Sequence, residues 1–139
     1  MTEHLPVFVY GTLCSGLHNY EKYLKGRTEK EVPAVTAGKL HAAAHNQYPC
    51  LLKEGELPIA GELMYVHSSR YKDVMAQLDH LEGYNEHDKE NSDYVRERIE
   101  VSTSEGDWVT AYIYYWNQPD DLGVWIKEGS WRKYIAADV

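Results

Sequence analysis

Two short stretches of this 139-residue chain have the residue types to act together. In Val7-Phe8-Val9-Tyr10-Gly11-Thr12-Leu13 an apolar strand runs into a glycine turn, and a second glycine, Gly16, follows. A turn of this kind can leave several backbone N–H groups unpaired and pointing one way. Such a nest holds an anion or a carboxylate without a charged side chain. It is not a P-loop, because no Gly-Lys-Ser/Thr follows. The second stretch is Leu78-Asp79-His80-Leu81-Glu82-Gly83-Tyr84. Leu78 and Leu81 would face a core, which leaves Glu82 at the edge of that face and at a helix C-terminus, where the macrodipole disfavours an anion. Partial burial works in the same direction. Both effects raise a carboxylate's proton affinity toward the range useful to a base that must later act as an acid. An anion cradle and one isolated acid are enough for a small transferase or lyase site.

Other combinations remain open on residue types alone. Asp79 can share a helix face with Glu82, the ingredient of a paired-carboxylate site, although glycosidase carboxylates usually come from separate elements. Cys14 follows the first strand, with His18 four residues on, and invites a thiol-nucleophile reading; no third residue is evident to orient the histidine. The seven histidines form no recognisable metal set, and His80 and His87 fit no zinc spacing. Arg96 and Arg98 lie on one strand face, where pairing with an acid is the commoner role and recognition of a substrate carboxylate the functional one.

The chain that must position these residues reads as a single domain over residues 1–139. Its formal charge is −8, which argues against nucleic acid or an anionic membrane as a partner. No apolar stretch is long enough to span a bilayer, Met1-Thr2-Glu3-His4 lacks the features of a signal peptide, and Cys14 and Cys50 give no disulfide framework. The expected location is the cytoplasm. Twelve tyrosines and four tryptophans against one phenylalanine suit strands and cavities that are half apolar and half wet.

Patterning predicts strands over Leu5–Tyr10, Val32–Ala44 (long or bent), Ile59–Val66, Tyr94–Ser102 and Trp108–Trp116, the last two forming a hairpin about Ser104–Asp107. It predicts a short helix over Leu17–Leu24, a clear one from a Ser68 or Ser69 cap to about Glu82 with Gly83 in the left-handed position beyond it, and a last one from Ser130 through Tyr134. Lys53–Pro58, Asn85–Asn91 and Asn117–Gly123 read as loops. Helices are too few for a doubly wound sheet, so the expected class is α+β with a curled, partly closed sheet.

Taken in order, several segments resemble the γ-glutamylcyclotransferase-like family. Tyr10-Gly11-Thr12-Leu13 with Gly16 and Asn19 is similar to its opening signature, Tyr48-Pro49-Cys50-Leu51 to its Tyr-Pro-x-Leu segment, and Gly61 to Val66 to its Gly-Glu strand. Leu78-Asp79-x-x-Glu82-Gly83-Tyr84 resembles its acidic helix end, and Tyr94-x-Arg96 and Gly129-Ser130-Trp131-x-x-Tyr134 also fit. Cys50 stands where a small residue is more usual, and Asn85-Glu86-His87-Asp88 lengthens the segment after Glu82. The resemblance implies a small mixed β-barrel with flanking short helices and a cavity at the Tyr-Gly-Thr-Leu turn. It implies a small-molecule γ-glutamyl substrate, one catalytic glutamate, here Glu82, and release of 5-oxoproline and a free amine with no cofactor and no metal. The substrate would be held by Tyr10, Gly11, Thr12 and Leu13, with Tyr48, Arg96 and Tyr115 as cavity walls. A non-catalytic cavity protein binding a small carboxylate metabolite is the alternative.

Overall fold

A computed structural model describes residues 4–45, 47–118 and 122–137. Six strands and two α-helices follow in the order β1 (Val7–Val9), β2 (Thr28–Ala43), β3 (Pro49–Val66), α1 (Tyr71–Leu81), β4 (Tyr94–Thr103), β5 (Trp108–Trp116), β6 (Leu122–Trp125) and α2 (Trp131–Ala137). The strands pair in the order β3-β1-β5-β4-β2-β6, and β2 also pairs with β3, so five of them close into a barrel and β6 extends from β2. β1 runs parallel to β5 through Val7 and Tyr112 and antiparallel to β3, which makes the barrel mixed, as expected. Among the described residues no helix is long and apolar enough to cross a membrane.

Strand alternation splits the apolar residues into two cores. Phe8, Leu40, Leu63, Val101 and Ile113 pack inside the barrel. Their neighbours Val7, Val9, Met64, Tyr114 and Trp116 point outward and are covered by Val74, Met75 and Leu78 of α1. That helix therefore lies on the outside of the β1–β5 wall, and its C-terminal end reaches the turn after β1.

Four expectations are corrected. Lys53–Pro58 does not end the strand: pairing jumps from Gly38↔Leu57 to Lys39↔Leu52, so residues 53–56 bulge out of a continuous β3, with Gly55 at φ 98° to make the bend. Neither Ser68 nor Ser69 caps α1 with its side chain; Arg70 is the cap residue, and the C=O of Ser68 receives the Tyr71 N–H. The helix expected over Leu17–Leu24 shrinks to one π-type turn, Tyr20–Leu24. Strand β6 begins within the expected Asn117–Gly123 loop, of which residues 119–121, like Met1–Glu3 of the N-terminal reading, lie outside the described residues. The cap at Ser130 is as expected, its Oγ accepting the Lys133 N–H at 3.3 Å.

Candidate active site

The turn after β1 is shaped by contacts that use its carbonyls and leave its amides open. The C=O of Gly11 accepts the Cys14 N–H at 3.0 Å, and the C=O of Thr12 accepts those of Asn19 and Tyr20, both at 3.1 Å. Asn19 Nδ2 donates to Thr12 Oγ1 at 2.6 Å. Among the described residues the N–H groups of Gly11, Thr12 and Leu13 have no intramolecular acceptor. Glycine is required at position 11 by space: a Cβ there would lie 2.6 Å from Cγ of Pro49, at the start of β3. The far side of the turn is braced by Glu62, whose Oε1 accepts the Ser15 N–H at 2.6 Å and whose carboxylate pairs with Arg132 of α2 at 3.5 Å.

Glu82 reaches the same place from α1. It is the residue that closes the helix, Gly83 follows at φ 64°, the Gly83 N–H returns to His80 C=O and the Tyr84 N–H to Asp79 C=O. This pair of bonds is the Schellman termination, and it fixes the direction in which the Glu82 side chain leaves the helix. Cavity space touches the residue, leaving it partly accessible, while its carboxyl is surrounded by protein on nearly all sides. Burial, followed by the negative charge of Asp79, pushes the carboxyl up to about 8. No hydrogen bond among the described residues offsets those two effects.

Both parts line one cavity of about 170 Å³. Gly11, Thr12, Leu13 and Asn19 form one wall and Glu82 and Leu81 another. Tyr48, Tyr94 and Trp116 supply an aromatic side, with Trp116 5.0 Å from Tyr94 and 6.1 Å from Tyr48 between ring centroids. Tyr94 OH donates to Pro49 C=O at 2.7 Å, and Tyr10 OH donates to Tyr114 C=O. Burial raises both phenols well above their ordinary value, so they remain neutral donors. Among the described residues Asp93 is the other acid on the wall, and none of them puts a basic side chain on it.

Two residues expected as walls stand elsewhere. The hairpin pairs Arg96 with Tyr114 and Tyr94 with Trp116, so Tyr114 and Trp116 share the outer face and Tyr115 takes the opposite one, inside the barrel. Arg96 is on the correct face but is held by Asp79, both of whose oxygens lie 2.9 Å from its Nη1. Asp79 is thereby bound to Arg96 and to Tyr114, and it does not line the cavity beside Glu82 as a paired carboxylate would. The thiol reading also loses its basis. Burial pushes Cys14 up to about 12, its Sγ lies 3.5 Å from Val9 C=O, and His18 is exposed; a protonated, enclosed thiol is a poor nucleophile. His80 and His87 are exposed. Leu81, Asp93, Tyr94, Tyr114 and Trp116 went unidentified as wall residues. Alternation counted back from the Ser104–Asp107 turn would have found the three aromatic ones.

Comparison with known proteins identifies the family. Residues 7–133 match the family described as gamma-glutamyl cyclotransferase, AIG2-like. A Methanocaldococcus jannaschii protein provisionally named a gamma-glutamylcyclotransferase is 26% identical over 129 residues, covering 92% of this chain and 96% of its own. Among solved structures, YkqA of Bacillus subtilis superposes with a TM-score of 0.69 at 23% identity, covering 99% of this chain and 44% of that protein. An AIG2-like protein of Mus musculus gives 0.63 at 22% identity over 88% and 86%. An uncharacterized Pyrococcus horikoshii protein gives 0.63 at 21% over 96% and 95%. With the match running through the turn after β1, the end of α1 and the strands between them, the chain belongs to the AIG2-like gamma-glutamyl cyclotransferase family.

Proposed function

We propose that the protein cleaves a γ-glutamyl amine or peptide by cyclisation, releasing 5-oxoproline and a free amine, with Glu82 as general base and then general acid. One observation carries this reading: an unpaired set of turn amides and a single enclosed carboxyl line a common cavity. The amides of Gly11, Thr12 and Leu13 take the substrate's α-carboxylate. Glu82, ionised, accepts a proton from the α-ammonium. The freed amine attacks the γ-carbonyl carbon, a new C–N bond closes the five-membered ring and the original amide C–N bond breaks. Glu82 returns its proton to the departing amine, so no external reactant is consumed.

A carboxyl at about 8 suits both steps, because it lies close to an ammonium in proton affinity and transfer is nearly balanced in either direction. Closing a ring within one molecule leaves the protein to fix a folded conformer, an effect worth several kcal/mol. The aromatic side of Tyr48, Tyr94 and Trp116 offers the leaving amine an apolar surface. Cys14 and Cys50 are buried and not joined in a disulfide, which fits a cytoplasmic setting.

The test is mass spectrometry of a panel of γ-glutamyl amines, dipeptides and peptides after incubation with wild type and Glu82→Gln. Wild type is expected to release 5-oxoproline from at least one class, and Glu82→Gln to lose roughly 10²–10⁴-fold in rate while still binding. Ligand binding without 5-oxoproline from any member would move the protein to the carboxylate-binding alternative.

A further inference from the structure

Beside the cavity, three elements meet in one ion-pair cluster. Arg96 of β4 donates to Asp79 of α1. Tyr114 OH of β5 donates to Asp79 Oδ1 at 2.6 Å. The Arg96 guanidinium lies over the rings of Tyr112 and Tyr84, 4.8 and 5.5 Å from their centroids. Only 20% of the Arg96 side chain and 26% of that of Asp79 is exposed. Asp79 stands one helical turn before Glu82, and its C=O receives the Tyr84 N–H that closes the turn holding Glu82. An ion pair this enclosed is costly to desolvate and is weak evidence of stability alone, so its place next to the enclosed carboxyl calls for a role.

We infer that Asp79, Arg96 and Tyr114 are positioning residues for Glu82: they pin the end of α1 to the barrel so that the carboxyl faces the turn after β1, and the balance of their two charges governs when that carboxyl carries a proton. This rests on the reading of Glu82 as the proton carrier. Asp79, one turn back on α1, acts on Glu82 through its charge. Tyr94 of β4, Tyr114 of β5 and Tyr10 after β1 interact with it, and Asp93 before β4 and Tyr48 before β3 share the cavity wall with it. Burial keeps Tyr10, Tyr94 and Tyr114 neutral, so the charge that bears on Glu82 is that of Asp79, and Arg96, whose Nη1 lies 2.9 Å from both Asp79 oxygens, offsets it.

Removing either partner of the pair therefore acts in opposite directions. Without Arg96, Asp79 is uncompensated and Glu82 holds its proton to higher pH. Without Asp79, Arg96 is uncompensated and Glu82 releases it earlier. Loosened packing gives a different result, because water admitted to the carboxyl lowers its proton affinity in both variants.

The experiment is ¹³C NMR titration of the Glu82 carboxyl, assigned by difference from Glu82→Gln, in wild type, Arg96→Gln and Asp79→Asn, beside the acid limb of kcat/KM. The midpoint is expected to rise by about one pH unit in Arg96→Gln and to fall in Asp79→Asn. An unchanged or lowered midpoint in Arg96→Gln overturns the inference. Should that variant fail to fold, Arg96→Lys keeps the charge and is expected to hold the wild-type midpoint; a lowered one there overturns it equally. The spectrum needs no turnover, so displaced midpoints in a protein that makes no 5-oxoproline uphold the unit and refute the catalytic reading. Turnover with immobile midpoints does the reverse.

Discussion

At the scale of the residue, Glu82 sets function against stability. Its proton affinity in the folded chain is raised, chiefly by burial, from the ordinary 4.5 to about 8. Below about pH 4 the folded and unfolded chains both keep the proton, and no difference arises. Between 4.5 and about 8 the unfolded chain releases a proton that the folded chain holds, so stability falls as pH rises, and above about 8 the full penalty applies. Glu82→Gln removes the titration. Urea unfolding is expected to show this variant more stable than wild type by about 4–5 kcal/mol at pH 8.5, and equal to it at pH 4; equal stability at both values would place the carboxyl in open water. That Glu82 would be perturbed was legible, because Leu78, Leu81 and Gly83 mark its place at a helix end. The identity of its electrostatic neighbours was not. Arg96 pairs across to a helix rather than across the sheet, and nothing in a strand's own pattern shows which element will cover its face.

At the scale of the element, the end of α1 is the part on which the site depends most. Gly83 adopts φ 64°, and a Cβ there would come 2.7 Å from Oδ2 of Asp93. Gly83→Ala is expected to lose about 1–2 kcal/mol of stability in urea unfolding from the left-handed backbone and that contact together, and to lower kcat as the Glu82 side chain is redirected. Unchanged stability and rate would mean that the helix termination does not position the acid. Helix spacing and a closing glycine made this element readable, whereas its start was not: two serines offered a cap, and tertiary packing placed the first turn after Arg70 instead. The bulge at residues 53–56 was misjudged for a related reason. A run of charged residues around Gly55 looks like a loop, yet β2 and β3 stay paired on both sides of it. The wall position of Tyr115 failed on parity, since one residue along a strand exchanges the cavity face for the barrel interior.

At the scale of the whole molecule, closure of the barrel brings the site together. β1 lies between β3 and β5, so the turn that follows it emerges beside the start of β3 and under the end of α1, and residues distant in sequence meet around one space. A curled α+β sheet was foreseeable from the count and spacing of strands, but the parallel β1–β5 pairing that inserts the first strand into the wall was not, because it carries no turn of its own in the sequence. The claim that depends on this topology is that the turn amides grip a carboxylate while Glu82 handles the proton. The most direct measurement is a ¹⁵N–¹H NMR titration of Glu82→Gln protein with γ-glutamyl methylamide and with its α-methyl ester. The amide signals of Gly11, Thr12 and Leu13 are expected to move together, with one dissociation constant, for the acid and hardly at all for the ester. Saturable binding that leaves those three signals in place, or equal binding of acid and ester, would contradict it.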